Sequence, residues 1–156
     1  MRTRAALLLF ALVLAGCGGD GGGSALPTVD VVIGSGDKVL MIKAEVAATV
    51  NDRSTGLMGR KSLPENGGML FHFREPVRVG FYMKDTLIPL DIAFLGRGVV
   101  LEIHSMVPCK MDKGCPVTRP NVTYEQALEV AAGTFAAAGI VPGARVKVEG
   151  TLPSPE

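Results

Sequence analysis

Two cysteines, Cys109 and Cys115, have the chemistry that is most readily stated from the sequence. They flank a lysine-rich segment between Pro108 and Pro116. The third cysteine, Cys17, lies in the N-terminal segment described below. If that segment directs export and Cys17 is used there, the remaining pair favours a disulfide, which stiffens the loop that it closes. The alternative is a metal or redox site with His104 as a further ligand. Metal and redox sites favour two cysteines in the closer C-x-x-C spacing, so the disulfide is the favoured interpretation.

Methionines offer a second kind of chemistry, because thioethers bind soft ions such as Cu(I). Met58, Met69 and Met83 alternate with apolar residues, a pattern that is also typical of methionines filling gaps in a core. Core packing is therefore the favoured interpretation, and soft-metal handling is the alternative. The ligands of that alternative site would be Met83, His104, Cys109 and Cys115.

A polar set with two aromatic residues is the candidate ligand-binding site. It consists of Arg53, Arg60, Phe81, Tyr82, Lys84, Asp85, Thr86 and Asp91. If a short helix packs beside the strand that holds the aromatic pair, the arginines meet the other polar groups at one rim. The guanidinium fork suits a carboxylate, a phosphate or a pair of sugar hydroxyls. The alternative is a structural role, in which the arginines form salt bridges to Asp85 or Asp91.

Catalytic motifs are not evident, so we expect a non-catalytic protein, although whether it is an enzyme stays open. The chain has only two histidines and no nucleophile elbow, P-loop or zinc-protease motif. Asp85 and Asp91 are candidates for an acid–base pair, but no feature of the sequence fixes their distance. An envelope-polymer hydrolase is therefore the less favoured hypothesis, and no cofactor is indicated.

Short alternating apolar segments predict the elements that position these residues. Strands are predicted over 29–33, 39–48, 69–73, 78–84, 90–95, 99–106, 127–131 and 145–149. Short helices are predicted from a cap at Asn51 or Asp52 to Gly59 and over 134–138. Residues 107–121 are predicted to form a long loop. This pattern favours a mainly β fold, a single compact β-barrel or sandwich-like domain with two short helices.

The first residues resemble a bacterial lipoprotein signal. Two arginines precede an apolar run over residues 5–14, which closes on a small-residue segment ending at Cys17. The resemblance implies that residues 1–16 are removed and that Cys17 is lipidated. The lipid would anchor the protein in the cell envelope, facing the periplasm, and the anchoring membrane would be the outer membrane if the organism has an outer membrane. Residues 17–27 would be a glycine-rich tether, 28–150 the β domain and 151–156 a flexible tail.

Charge and composition exclude several classes of partner. The chain has 16 Lys+Arg against 15 Asp+Glu, with no Trp. A near-neutral chain lacks the basic field that attracts nucleic acid. The expected partners are the membrane, through the lipid, and a small molecule, glycan or envelope protein.

Three motif blocks together resemble the DUF192 family of small prokaryotic proteins, many of which are exported. The blocks are Thr49 to Pro64, Gly68 to Phe73 and Phe81 to Phe94. The chain departs from the family at Tyr82, where Trp is common, and at Asp85, where Asn is common. The resemblance implies a compact, mainly β domain and no established substrate, cofactor or reaction. We therefore expect a lipid-anchored envelope protein that binds a ligand or partner.

Overall fold

The computed structural model describes residues 26–109 and 114–156. This part of the chain forms nine strands and two short helices. The strands are β1 (Thr28–Ser35), β2 (Lys38–Ala47), β3 (Gly67–Val77), β4 (Phe81–Tyr82), β5 (Leu90–Gly96), β6 (Val99–Met106), β7 (Val117–Thr118), β8 (Tyr124–Ala131) and β9 (Arg145–Glu149). The helices are α1 (Val50–Thr55) and α2 (Thr134–Ala138). Cys17 and most of the predicted tether lie outside the described residues.

Seven of these strands form a closed barrel in the order β1-β2-β3-β8-β5-β6-β9. Its neighbouring strands are antiparallel except β2 and β3, which are parallel. The predicted mainly β, barrel-like domain with two short helices is confirmed. β4 and β7 pair separately as a two-stranded sheet. No helix in the described ranges is long and apolar enough to cross a membrane.

The barrel interior is filled by every second residue of its strands, as expected from the two-residue period of side chains along a strand. Val31 and Ile33 of β1 and Ile42 of β2 are completely buried there. Phe135 of α2 packs into the same cluster. We refer to this cluster as the barrel core.

A second apolar cluster lies on the outer face of the barrel, and we refer to it as the lateral core. It contains Phe71 of β3, Phe94 of β5 and Tyr124 of β8, together with Leu57 and Met83 from outside the barrel. Because both faces of β5 are covered, all seven of its residues are buried. The lateral core forms the base of the candidate site.

The parallel pairing of β2 and β3 explains why α1 is available to cover the lateral core. Parallel neighbours require a crossover connection, since a tight hairpin joins only antiparallel strands. The segment between Ala47 and Gly67 makes this crossover and carries α1 and Leu57. The topology therefore places the first motif block of the sequence on the outside of the barrel.

Four local predictions differ from the structure. Helix α1 has its N-cap at Thr49 and ends at Thr55. Thr49 is the N-cap, in place of Asn51 or Asp52, because it forms a reciprocal capping box with Asp52. The strand predicted over 78–84 is reduced to β4, which pairs only with β7. β7 itself lies in the predicted loop. The predicted loose tail packs on the barrel, where Glu156 N donates to Ala48 O over 3.1 Å.

Candidate functional site

An open cavity of about 240 Å³ lies beside the barrel, lined by α1, β3, β4 and β8. We refer to it as the lateral cavity. Residues from all three motif blocks line it. The lining residues are Val50, Arg53, Ser54, Thr55, Gly56, Leu57, Met58, Phe71, Phe73, Val79, Gly80, Phe81, Tyr82, Thr86 and Glu129.

The barrel wall of the cavity consists of two phenylalanines and one acidic side chain. β3 contributes Phe71 and Phe73, and β8 contributes Glu129. Glu129 lies in register with Met69 on one side and Ile92 on the other, so apolar strands flank it. Only 6 % of Glu129 is exposed.

The α1 wall is held in place by its cap and by Arg53. Thr49 Oγ1 accepts a hydrogen bond from Asp52 N over 3.1 Å. The Arg53 guanidinium donates to the carbonyl oxygens of Ala48, His72 and Glu156. It also lies 5.1 Å from the centroid of the Phe73 ring. These contacts tie α1 to β3 and to the end of the described chain.

The β4 wall is fixed by aromatic packing and by one buried hydroxyl. The Phe81 ring meets the Phe71 ring edge-on, with centroids 4.9 Å apart, and lies 5.9 Å from the Phe94 ring. The Tyr124 hydroxyl donates to Val79 O over 2.9 Å. Tyr82 is 46 % exposed, so one aromatic residue of this wall is partly open to solvent.

The disulfide stabilises the segment that pairs with β4. Cys109 and Cys115 are joined, with their Cα atoms 5.4 Å apart, as predicted from the cysteine count. Cys109 packs against the lateral core, and β7 begins two residues after Cys115. Gly80 allows the close approach of this segment, because a Cβ there would lie 2.5 Å from Val117 Cγ1. The disulfide therefore supports one wall of the cavity.

Glu129 is the most unusual group in the lining. No hydrogen bond or ion pair engages its side chain among the residues that the structure describes. Burial raises the pKa of its carboxyl group from 4.5 to about 8, because a low-dielectric environment disfavours the charged form. The protonated form of the carboxyl group is therefore favoured at neutral pH.

Two neighbouring groups have shifted pKa values that follow from the same surroundings. Burial and then the positive charge of Arg53 lower the pKa of His72 below its ordinary value. Burial raises the pKa of the Tyr124 hydroxyl above its ordinary value. Both shifts favour the neutral forms of these side chains.

Four residues of the predicted ligand-binding set line the lateral cavity, namely Arg53, Phe81, Tyr82 and Thr86. Asp85 and Lys84 follow β4 in a turn and are not among the lining residues. Asp85 has a φ of 53°, and its carbonyl oxygen accepts from Gly59 N over 2.8 Å. Asp and Asn both tolerate this left-handed conformation, which accounts for the departure from the family pattern at this position.

Arg60 and Asp91 lie in separate polar contacts, away from the cavity lining. Arg60 forms a bidentate ion pair with Glu45, with N–O distances of 2.5 and 2.6 Å. Asp91 is buried and accepts from Ser105 Oγ at 2.7 Å and Gly133 N at 2.8 Å. The predicted salt bridges of Arg53 or Arg60 to Asp85 or Asp91 are thus absent among the described residues.

The residues of the soft-metal alternative are not assembled as a ligand set. Met83 is buried in the lateral core, and His104 Nε2 lies 2.8 Å from Glu102 Oε2. Cys109 and Cys115 are disulfide-bonded to each other. In residues 26–109 and 114–156, no three His, Cys, Asp or Glu side chains are grouped to hold a metal ion.

Sequence reasoning missed Glu129. The signal was present, since Glu129 is a single acidic residue within the apolar strand from Ala127 to Ala131. An acidic residue in a strand ordinarily faces solvent. The crossover segment and β4 cover that face and make Glu129 a buried residue.

The fold and the cavity define a small closed β-barrel with an aromatic, acidic cavity on its outer side. The chain belongs to the DUF192 family, described as "Uncharacterized ACR", which matches residues 31–148. The predicted family membership is confirmed. No curated protein matches the chain significantly.

Two solved structures are similar to this chain. A candidate transcription regulator from Sinorhizobium meliloti is 28 % identical, with a TM-score of 0.75 over 81 % of this chain and 98 % of that chain. A protein of unknown function from Novosphingobium aromaticivorans is 31 % identical, with a TM-score of 0.73 over 80 % of this chain and 87 % of that chain. Both support the barrel fold.

Proposed function

We propose that this protein is a lipid-anchored envelope protein that binds a small molecule, without catalysis, in the lateral cavity. The observation that carries the binding proposal is the composition of the cavity, where aromatic side chains surround one buried carboxyl group. Concave, mostly apolar sites with few polar groups are typical of ligand pockets. Residues from all three motif blocks line the cavity, so the proposal also gives these blocks a common function.

The arrangement of acidic groups favours binding over hydrolysis. Glu129 is the only carboxylate among the described residues that line the cavity. Glycoside hydrolysis ordinarily uses two carboxyl groups on opposite sides of the bond that is cleaved. Asp91, the other buried acidic residue in the part of the chain that the structure describes, already accepts hydrogen bonds from Ser105 and Gly133. A single carboxyl group in an otherwise aromatic and apolar lining is better suited to holding a ligand.

Native mass spectrometry tests the binding proposal. The full chain is incubated with a small-molecule extract of bacterial periplasm, and we expect an organic adduct. Tyr82→Ala removes a lining ring and should weaken retention roughly tenfold, consistent with about 1–2 kcal/mol of lost contact. Leu87→Ala is the matched control, because Leu87 is exposed to a similar degree and does not line the cavity. No adduct, or an equal effect of both substitutions, would contradict the proposal.

The lipid anchor is tested separately at Cys17. Expression in a bacterium supplied with labelled palmitate should give a labelled, membrane-bound protein, because several acyl chains anchor stably. Cys17→Ser should lose both the label and the membrane association. Retention of the label in Cys17→Ser would refute lipidation at this position, whatever the result for the cavity.

A further inference from the structure

We propose that the ligand of the lateral cavity is a small organic cation, with an ammonium group beside Glu129 and an apolar arm against the aromatic walls. This inference rests on the proposed function and names the class of ligand. It is carried by the position of Glu129, a nearly fully buried acidic side chain that lines the cavity.

Glu129 has no partner of its own within the described residues. A buried carboxyl group without a hydrogen-bond partner costs free energy, and a buried carboxylate costs more unless a cation pairs with it. Of the described residues that line the cavity, Arg53 alone has a cationic side chain, and its guanidinium already donates to three carbonyl oxygens. No buried side-chain oxygen among the described residues lacks a hydrogen-bond partner, so the carboxyl oxygens of Glu129 reach the solvent of the open cavity. An ammonium ligand would replace that solvent as their partner.

The other lining residues suit a cation with an apolar arm. Phe71, Phe73, Phe81 and Tyr82 line the same cavity, and aromatic faces attract cations as well as apolar groups. An anion would lie against Glu129 and lack a free cationic side chain. The lining therefore selects for positive charge at the carboxyl group and for apolar contact elsewhere.

The cavity volume limits the size of the ligand. At about 240 Å³, it exceeds the roughly 150 Å³ of an engineered cavity that binds benzene. A single ring with a short amino-bearing chain fits this volume. 2-Phenylethylammonium is therefore a suitable probe, with 2-phenylethanol as its neutral counterpart and phenylacetate as its anionic counterpart.

Isothermal titration calorimetry of the full chain with these three probes tests the inference. We expect the cation to bind roughly 10- to 100-fold more tightly than the alcohol, the range for a hydrogen bond between charged groups. Glu129→Gln should remove that preference. Glu125→Gln, an exposed position on the same strand and outside the cavity lining, should retain it.

The pH dependence provides a second readout. A cation binds the ionised carboxyl group, so affinity for 2-phenylethylammonium should rise as pH increases towards about 8, and binding should release a proton. Arg53 of α1 and Tyr82 of β4 are the other titratable side chains in the lining. Comparing the pH dependence of affinity in Glu129→Gln with that in the wild type therefore isolates the contribution of the Glu129 carboxyl group.

The outcomes separate this inference from the proposed function. Equal binding of the cation and the alcohol to the wild type would overturn the cation inference and leave a small-molecule site. A preference for phenylacetate would also overturn it and would assign recognition to Arg53. Binding of none of the three probes would overturn both the cation inference and the use of the cavity for a ligand of this size.

Discussion

Replacing Glu129 by Gln should make the stability of the protein much less dependent on pH. In the folded protein the pKa of Glu129 is raised from 4.5 to about 8. Between these two pH values, the Glu129 carboxyl group is therefore ionised in the unfolded chain and protonated in the folded chain. The contribution of Glu129 to the free energy of unfolding is fully present below pH 4.5 and is lost as pH rises through the folded pKa of about 8. This rise in pKa corresponds to roughly 5 kcal/mol.

Urea unfolding from about pH 5 to about pH 9 measures this contribution as a change in the free energy of unfolding. Wild type should lose several kcal/mol more than Glu129→Gln across the range, because Gln fills a similar volume and does not ionise. Glu125→Gln serves as the control and should follow the wild type. Parallel curves for the wild type and Glu129→Gln would show that the carboxyl group is not held protonated, and this reasoning would be refuted.

Substitutions at three further positions test two polar contacts and one backbone conformation, all by urea unfolding. Asp91→Ala should lower stability by about 1–2 kcal/mol, because Ser105 Oγ and Gly133 N lose their acceptor; a loss under about 0.5 kcal/mol would contradict this. Arg60→Met should lower stability by less than about 1 kcal/mol and only at low salt, because its ion pair with Glu45 is partly exposed; a large, salt-independent loss would show a structural role. Asp85→Val should cost about 1–2 kcal/mol and Asp85→Gly almost nothing, because φ is 53° at this residue; equal effects would rule out a conformational cause.

Local patterns were enough to predict most of the elements. Helix α2 and strands β6 and β9 have the predicted bounds, because each is delimited by glycine or proline and has a clear alternation or capping signal. β4 and β7 were predicted poorly, because two-residue strands depend on each other and not on their own sequence. The pairing of the cysteines followed from their number and the expected compartment.

Half of the predicted ligand-binding set lies in the cavity lining, and the reason is topological. Arg53, Phe81, Tyr82 and Thr86 face the space between the crossover and the barrel, whereas Arg60 and Asp91 have partners elsewhere. Residue type predicted that these side chains could bind a ligand. It did not predict which of them would share one surface, because that depends on contacts between distant segments.

The sequence by itself determined the family, the mainly β fold and the alternation that fills the barrel core, since these depend on local periodicity and on motifs that are contiguous in the chain. Only the tertiary structure decided the environment of Glu129. An acidic residue in an alternating strand ordinarily faces water. Here the parallel pairing of β2 with β3 carries α1 across the outer face, and β4 closes the other side. Burial by these distant segments changes the protonation of Glu129.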